Sequence, residues 1–499
     1  MGHIAYTMKT IFNKLPQICL GFLGISTFGT NAVQGQSITD NISTFLKSEM
    51  IKRNIPGLQI AIIRNGQLEL LKSFGVANIE HRVIVNDSTL FSINSATKAF
   101  TAVAIMQLAE KKQLELEMPV SHYLEHLPEQ WKSVTLTQLL THTSGLPDFI
   151  DTKKGGFVAG LSYEDAWEAI KNYPMEFLPG TQSRYNQTNY VLLGQLIEKL
   201  NGKPFEQVVQ EQQFNPSGMK KSCFGDSRDV IIDKAPTYML SRKSERAFVE
   251  GKTMERTWEE FPELRATSGI NSTAKELANW ILALQNGSLL QPQSLQTMWK
   301  AAKLTNGTYS GWTPGWAAAR IATPRAVAGI GGSRSWFYIY PDQHLAVIIL
   351  TNLKTTEPED LAMEVAGFYY PELKAINGGN LPESIMPLRR LLEQQGYSKA
   401  IPLSKEIQKS DKNFHPSEKD LSNWAYYLLL KENNKKHAIE IFKLYVNFYP
   451  TSTEANDNLA EGYEAIGDTQ NAIIFYNKAV KIDQQNKHAA ERLKILSQK

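Results

Sequence analysis

Cysteine is scarce in this chain, since its 499 residues include only two. Cys19 lies in an apolar N-terminal segment, which leaves Cys223 as the single thiol of the remaining sequence. One thiol cannot form an internal disulfide, so the folded protein must be stabilised by a buried core. The length of 499 residues exceeds a typical domain of about 100–200 residues and predicts at least two folded units.

An excess of charge of one sign is also absent. The formal net charge is +3, from 53 Lys and Arg against 50 Asp and Glu, and no long basic run occurs. Nucleic-acid binding therefore has no electrostatic support. The G-x-S-x-G motif of α/β-hydrolases and the H-E-x-x-H motif of zinc proteases do not occur. We expect neither a bound metal nor a cofactor.

The N-terminal segment has the order of a bacterial secretory signal peptide. Two lysines precede an apolar run from Ile18 to Phe28, and small residues that suit cleavage after Ala32 or Gly35 follow. The run is short of the roughly 20 residues that span a bilayer; the alternative is an N-terminal membrane anchor. We predict that residues 1–35 are removed and that the mature protein is periplasmic or secreted, without stable membrane insertion.

Residues 38–373 alternate between short β-type runs and helical runs. The stretch GLQIAIIRNGQLELLKSF predicts a hairpin of Leu58–Ile63 and Leu68–Phe74 around the turn Asn65-Gly66. The stretch WFYIYPDQHLAVIILTN predicts a second hairpin, with Pro341-Asp342 at its turn. This alternation of strand-type and helical runs predicts an α+β domain in which helices flank a largely antiparallel sheet.

Residues 419–498 are helical and repetitive instead. Six positions recur with a 34-residue period: Ala425, Leu429, Asn433, Ala438, Phe442 and Tyr445, then Leu459, Tyr463, Gly467, Ala472, Tyr476 and Ala479. This resembles the tetratricopeptide repeat; a plain helical bundle is the alternative. Lys487–Ser497 would cap the array, and residues 374–418 would form a linker with a degenerate helix pair around Leu388–Ile407. Because such arrays present binding surfaces, we expect a protein partner here.

The spacing S-x-x-K occurs at Ser95, Ser217 and Ser272. Ser95 differs in its context, because an apolar helix is predicted over Thr97–Glu110 directly after it. The first N–H groups of that helix would favour negative charge at the serine. Lys98 would lie one turn along on the same face. A neutral lysine can activate a serine, and burial lowers a lysine pKa from about 10.4.

Several further motifs follow in order: LLTHTSGLPDF from Leu139, LPGTQSRYNQTNY from Leu178, FNPSGM from Phe214, ATSGINSTAKELANW from Ala266, and the hairpin that ends in PDQHLAVIILTN. Together with FSINSATKAF, they make residues 38–368 resemble the serine β-lactamase and penicillin-binding-protein superfamily, specifically its class C β-lactamase and esterase branch. The resemblance implies a β-lactamase/transpeptidase-like fold for residues 38–373.

The resemblance also implies roles for individual residues. Ser95 would be the acylated nucleophile and Lys98 its basic partner. The family motif Tyr-x-Asn falls on Tyr185-Asn186-Gln187, so Tyr185 would carry the proton between serine, leaving group and water. Gln187 stands where the family has asparagine. It keeps an amide for substrate binding but is one methylene longer.

This chain departs from the third family motif, which is a basic residue or histidine, then Thr or Ser, then Gly. Its match is Gly329-Ile330-Gly331, which lacks the cation that binds a substrate carboxylate in the family. This loss argues against an efficient β-lactamase or D-alanyl-D-alanine carboxypeptidase. A nearby arginine, Arg334 or Arg325, could compensate in part. We predict that Gly331, Gly332 and Arg334 bind substrate, with the Gly332 N–H in an oxyanion hole.

The sequence thus predicts a secreted serine hydrolase that cleaves an ester or amide of a small molecule or peptide through an acyl-enzyme on Ser95. One alternative is a D-amino-acid peptidase or weak β-lactamase that acts on peptidoglycan-type substrates. The other is a catalytically impaired binding protein in which the C-terminal repeats carry the function. His142, within THTSGL, is interpreted as structural.

Overall fold

The computed structural model describes residues 25–151, 156–240, 254–257, 262–320, 324–354, 356, 358–373, 383–412, 414–431 and 434–497. The chain divides into two compact units, Met1–Asn54 and Ile55–Lys499. In the first unit, helix α1 spans Ile25–Arg53. Residues 1–24 of the predicted signal peptide lie outside the described ranges, so its removal stays a prediction that N-terminal sequencing of the mature protein would test. Within those ranges, each helix lacks the length or the hydropathy needed to cross a membrane.

The main sheet of the second unit has eight antiparallel strands. In spatial order they are β11 (Trp312–Thr313), β12 (Trp316–Arg320), β13 (Ala326–Gly331), β14 (Ser335–Tyr340), β15 (Leu345–Thr351), β1 (Gly57–Arg64), β2 (Gln67–Asn78) and β3 (Val83–Ile84). The turn between β1 and β2 has φ angles of 50° at Asn65 and 74° at Gly66, which fit a type I′ turn. Both predicted hairpins are confirmed.

Shorter elements complete this part of the chain. The strands are β4 (Phe91–Ser92), β7 (Cys223–Phe224) and β10 (Ile270–Ser272) in one sheet, β5 (Ile150–Asp151) with β6 (Gly156–Phe157), and β8 (Tyr238–Leu240) with β9 (Met254–Arg256). The helices are α2 (Thr97–Glu110), α3 (Leu136–Leu140), α4 (Tyr163–Ile170), α5 (Gln187–Asn201), α6 (Phe205–Val209), α7 (Ala274–Gln285), α8 (Pro292–Met298) and α9 (Pro358–Tyr369). Helix α7 contacts β1, and α9 contacts β14 and β15. The predicted antiparallel sheet flanked by helices is therefore confirmed.

Helix α2 lies inside the core and has the predicted bounds. Every residue from Thr97 to Leu108 is buried, as expected for a helix with neighbours on all sides. Its neighbours are α5, α6, α8 and β13. Phe100 stacks on Trp280 of α7, with ring centroids 3.9 Å apart. Such packing gives the residues at the start of α2 a fixed position.

The C-terminal region is entirely helical in its described residues apart from the connections. Its helices are α10 (Met386–Gln395), α11 (Ala400–Ser410), α12 (Glu418–Tyr426, continued by a π-helical turn Tyr427–Lys431), α13 (Lys435–Phe448), α14 (Thr453–Ala465), α15 (Thr469–Ile482) and α16 (Lys487–Leu496). Each helix from α12 to α16 packs on the next one along the chain. Helices thus occur where the helix pairs and the cap were predicted. Their assignment to tetratricopeptide repeats and the domain boundaries stay predictions.

Candidate active site

Ser95 lies in a single 3₁₀ turn, Asn94–Ala96, that leads directly into α2. The Ala96 N–H donates to the Ile93 carbonyl at 3.1 Å. Asn94 has a φ of 45°, which is uncommon for a residue with a side chain. Ser95 itself is partly exposed and lies at the positive end of the helix dipole. This position combines access for a substrate with a field that stabilises negative charge.

Lys98 lies one turn further along α2 and is only 3% exposed. Its Nζ donates to the Gln187 Oε1 at 2.8 Å and to the Thr267 carbonyl at 3.0 Å. Burial lowers the pKa of Lys98, while nearby Tyr185 and Asp148 oppose part of that shift. Both acceptors are uncharged, so they stabilise the ammonium form less than a carboxylate partner would.

Tyr185 and Gln187 lie at the start of α5, which Asn186 caps by accepting the Asn189 N–H. The centroid of the Tyr185 ring is 4.8 Å from the Lys98 Nζ. The Tyr185 hydroxyl is buried, and it interacts with the Lys98 amine and opposes the lowering of its pKa.

The loop of residues 141–150 holds the start of α5 in place. The His142 Nδ1 accepts the Asn186 N–H at 3.2 Å, and the Asp148 Oδ2 accepts the Gln187 N–H at 3.2 Å. The Asn186 side chain donates to a carbonyl of the same loop at 2.6 Å. These three bonds fix the direction in which the first residues of α5 approach Lys98.

His142 is a neutral, packed ring at this site. It is 1% exposed, and burial together with the charge of Lys98 holds its pKa well below the usual range. Its ring centroid is 4.6 Å from that of Tyr185 and 4.7 Å from that of Trp312. Because Nδ1 accepts a backbone N–H, the ring proton belongs on Nε2. The placement agrees with a structural role, which is to pack against Tyr185.

Two glycines let β13 approach the serine turn closely. A Cβ built at Gly331 would lie 1.8 Å from the Ile93 carbonyl oxygen, so no side chain fits there. Gly332 has a φ of 55°, and a Cβ there would lie 3.1 Å from the Asn94 side chain. Only glycine permits this approach without strain. The backbone of the strand end therefore lies beside the turn that carries Ser95.

Arg334 does not have the open position that a substrate-binding residue needs. It is 1% exposed, and its guanidinium donates to the Asn94 Oδ1. The structure thus places Arg334 against the serine turn and not on an open surface. Arg325 lies at the other end of β13, where it donates to Asp342 at 3.0 Å. Both arginines are thus held by side chains of the protein itself.

The predicted residues gather at the N-terminus of α2: Ser95, Lys98, Tyr185, Gln187, Gly331 and Gly332, with Arg334 buried behind Asn94. Sequence reasoning missed two contributors. Asp148 lies within the motif LLTHTSGLPDF, and its place in that motif could have indicated that it lies at the site. Thr267 contributes only a backbone carbonyl. Every residue has such a carbonyl, so the sequence could not indicate this contact.

A cavity of about 350 Å³ opens beside Asn94. The two arginines that line it are both paired with carboxylates, Arg265 with Glu206 at 3.1 Å and Arg256 with Glu80 at 2.6 Å. Apolar side chains contribute to the rest of its wall: Val230, Ile231, Ala235 and Pro236. Lys234, Asp226 and Asp229 also line the cavity, so its wall carries charges of both signs.

Comparison with known proteins identifies the family. A sequence model described as Beta-lactamase matches residues 39–368. The chain belongs to the Beta-lactamase family. The match to that family ends before α10, so the C-terminal helices lie outside it.

Two curated relatives and one solved structure agree. The putative penicillin-binding protein PbpX of Bacillus subtilis (strain 168) is 31% identical over 237 residues, which cover 48% of this chain and 57% of that protein. Protein flp of Staphylococcus aureus (strain MW2) is 30% identical over 187 residues, 37% of this chain and 38% of the relative. The alignments thus span less than two thirds of either relative. The octameric penicillin-binding protein homologue from Pyrococcus abyssi is 25% identical with a TM-score of 0.56, and the match covers 69% of this chain and 81% of that one. The serine hydrolase fold of the β-lactamase and penicillin-binding-protein superfamily is confirmed.

Proposed function

We propose that this protein is a serine hydrolase that cleaves an ester or amide through an acyl-enzyme on Ser95. The observation that carries the proposal is the environment of Lys98. A neutral lysine amine has two N–H donors and one lone pair. The two donors have acceptors in Gln187 Oε1 and the Thr267 carbonyl, which leaves the lone pair to accept the proton of Ser95.

The reaction then follows from the residues around the turn. As the Ser95 oxygen attacks the carbonyl carbon, its proton passes to Lys98, and the carbonyl oxygen becomes an oxyanion. Backbone N–H groups of Ser95 and Gly332 stabilise that oxyanion. The Tyr185 hydroxyl, which interacts with the Lys98 amine, delivers its proton to the leaving group and regains one from the Lys98 ammonium. Water then attacks the acyl-enzyme, and the same residues transfer the protons in the reverse direction. This step releases the acid and restores Ser95.

The substrate we propose carries no carboxylate beside the scissile bond. Gly329 stands where the family has a cation. Arg334 is bonded to Asn94, and Arg325 to Asp342. A carboxylate placed there would have to compete with Asn94 or Asp342 for an arginine, and a buried carboxylate that finds no partner is costly. This supports an ester over the D-amino-acid peptidase or β-lactamase alternative, both of which handle carboxylate-bearing substrates.

A labelling experiment and a matched substrate pair test the proposal. A fluorophosphonate should add to the protein once with loss of HF, and peptide mapping should place the adduct on Ser95. The ester 4-nitrophenyl butyrate should be cleaved with a kcat/KM at least about tenfold above that of 4-nitrophenyl hemisuccinate, whose acyl group has the same length but ends in a carboxylate.

The outcomes separate the hypotheses. No adduct and no cleavage of esters, a cephalosporin or D-alanyl peptides would favour the impaired binding protein. Labelling with faster cleavage of D-alanyl peptides than of the butyrate would favour the peptidase.

We propose further that the C-terminal helices bind a protein partner and take no part in catalysis. Exposed apolar side chains on or beside α15 and α16 support a docking role: Ile466, Ile474, Ile482 and Ile495. A chain truncated after Leu373 should retain the kcat/KM of the full chain for the butyrate ester. Loss of activity together with loss of cooperative unfolding would instead make these helices part of the hydrolase fold.

A further inference from the structure

The carboxylate of Asp148 is linked to Lys98 through one residue, Gln187. Its Oδ2 accepts the Gln187 N–H at 3.2 Å, and its Oδ1 accepts the Ile150 N–H at 3.2 Å. The Gln187 Oε1 in turn accepts from the Lys98 Nζ at 2.8 Å. Asp148 therefore holds the backbone of Gln187, whose side chain accepts from Lys98.

We propose that Asp148 is a positioning residue that holds Gln187 against Lys98 and, through its negative charge, sets how readily Lys98 loses its proton. The inference rests on the proposed function, because it concerns Lys98 as the base. Asp148 does not touch the reacting atoms. Its effect reaches them through Gln187 and through the electrostatic field.

Tyr185 and Asp148 both contribute to that field, and Tyr185 contributes more. Tyr185, Tyr190 and His142 face the Lys98 amine from α5 and from the loop of residues 141–150. His142 is kept neutral by burial. The carboxylate whose charge acts on Lys98 is that of Asp148.

The surroundings of Asp148 itself are also defined. Lys98 and Glu176 are the charged groups that act on its carboxyl, and Glu176 is paired with Arg184 at 3.0 Å. Burial raises the pKa of Asp148 to about 6, with its two backbone hydrogen bonds and Lys98 opposing the shift. Asp148 is therefore neutral below about pH 6 and charged above it.

The sign of the effect follows. A negative Asp148 favours the ammonium form of Lys98 and so raises its pKa. The variant Asp148→Asn removes that charge at every pH. Its Lys98 should deprotonate at lower pH, and the acidic limb of the kcat/KM profile should move down by about 0.5–1 pH unit. The maximum should also fall, because an asparagine cannot accept both the Gln187 and the Ile150 N–H.

The experiment compares pH profiles of full-length variants with 4-nitrophenyl butyrate, corrected for hydrolysis without protein. Glu168→Gln is the matched control, since it removes an exposed carboxylate of α4 that is paired with Lys171 and acts on neither Lys98 nor Asp148, so its acidic limb should stay at the wild-type position. Asp148→Glu keeps the charge and moves it, so its limb should also stay in place while its maximum falls.

Each outcome bears on a different statement. An acidic limb of Asp148→Asn at the wild-type position would overturn the electrostatic role. If Asp148→Asn does not fold, a maximum of Asp148→Glu equal to that of the wild type would overturn the positioning role. Failure of the proposed function is separate, because then the wild type itself takes up no fluorophosphonate.

Discussion

Replacing Ser95 with alanine should abolish fluorophosphonate labelling and lower kcat for the butyrate ester by at least about 10³-fold. Without the hydroxyl, no acyl-enzyme can form, and the residual rate depends on binding and the oxyanion site alone. Ser95 is partly exposed and lies just before the first residue of the buried helix α2, so the substitution removes no core contact. The thermal unfolding midpoint should therefore stay close to that of the wild type.

Ser217→Ala is the matched control for this variant. Ser217 has the same spacing to a lysine, is 8% exposed, and its Oγ has no hydrogen-bond partner among the described residues. Its removal should leave both labelling and kcat unchanged. If Ser95→Ala retained wild-type labelling, a different nucleophile would have to be sought, and the mechanism proposed here would fail.

Replacing Lys98 with methionine should lower kcat by about 10²–10⁴-fold, the usual contribution of a general base, with little loss of stability. Methionine keeps the volume of the lysine stem but has no amine to accept the Ser95 proton. Burying the amine costs free energy, whereas removing it leaves two uncharged acceptors, Gln187 Oε1 and the Thr267 carbonyl, without a donor. These effects oppose each other, so the free energy of unfolding should change by less than about 2 kcal/mol.

Lys111→Met provides the control, because Lys111 follows the same helix and also donates to a glutamine amide oxygen, that of Gln212 at 3.2 Å, but does so on the surface. Its kcat should equal that of the wild type. Measurement of kcat by ester hydrolysis and of stability by urea unfolding would check both variants. Wild-type turnover by Lys98→Met would exclude Lys98 as the base.

Local elements could be predicted because their signals are local. The turn Asn65-Gly66 specifies a tight hairpin whatever lies around it. The apolar run after Ser95 predicted the bounds of α2, since a helix that is apolar on all faces has to be buried. The order of motifs also pointed to the family before any contact was known.

The sequence by itself determined the hairpins, the buried helix and the residue types at the site, because each depends on neighbours a few positions apart. Only the tertiary structure decided how Lys98 is held, since Gln187 is 89 residues away and Thr267 is 169. It also placed Arg334 against Asn94, where sequence reasoning expected a substrate contact. The physical reason is that β13 reaches the serine turn through Gly331 and Gly332, and the turn that follows directs Arg334 into the protein. Packing between segments that are distant in the chain produces no repeating pattern of residues, so the sequence does not reveal it.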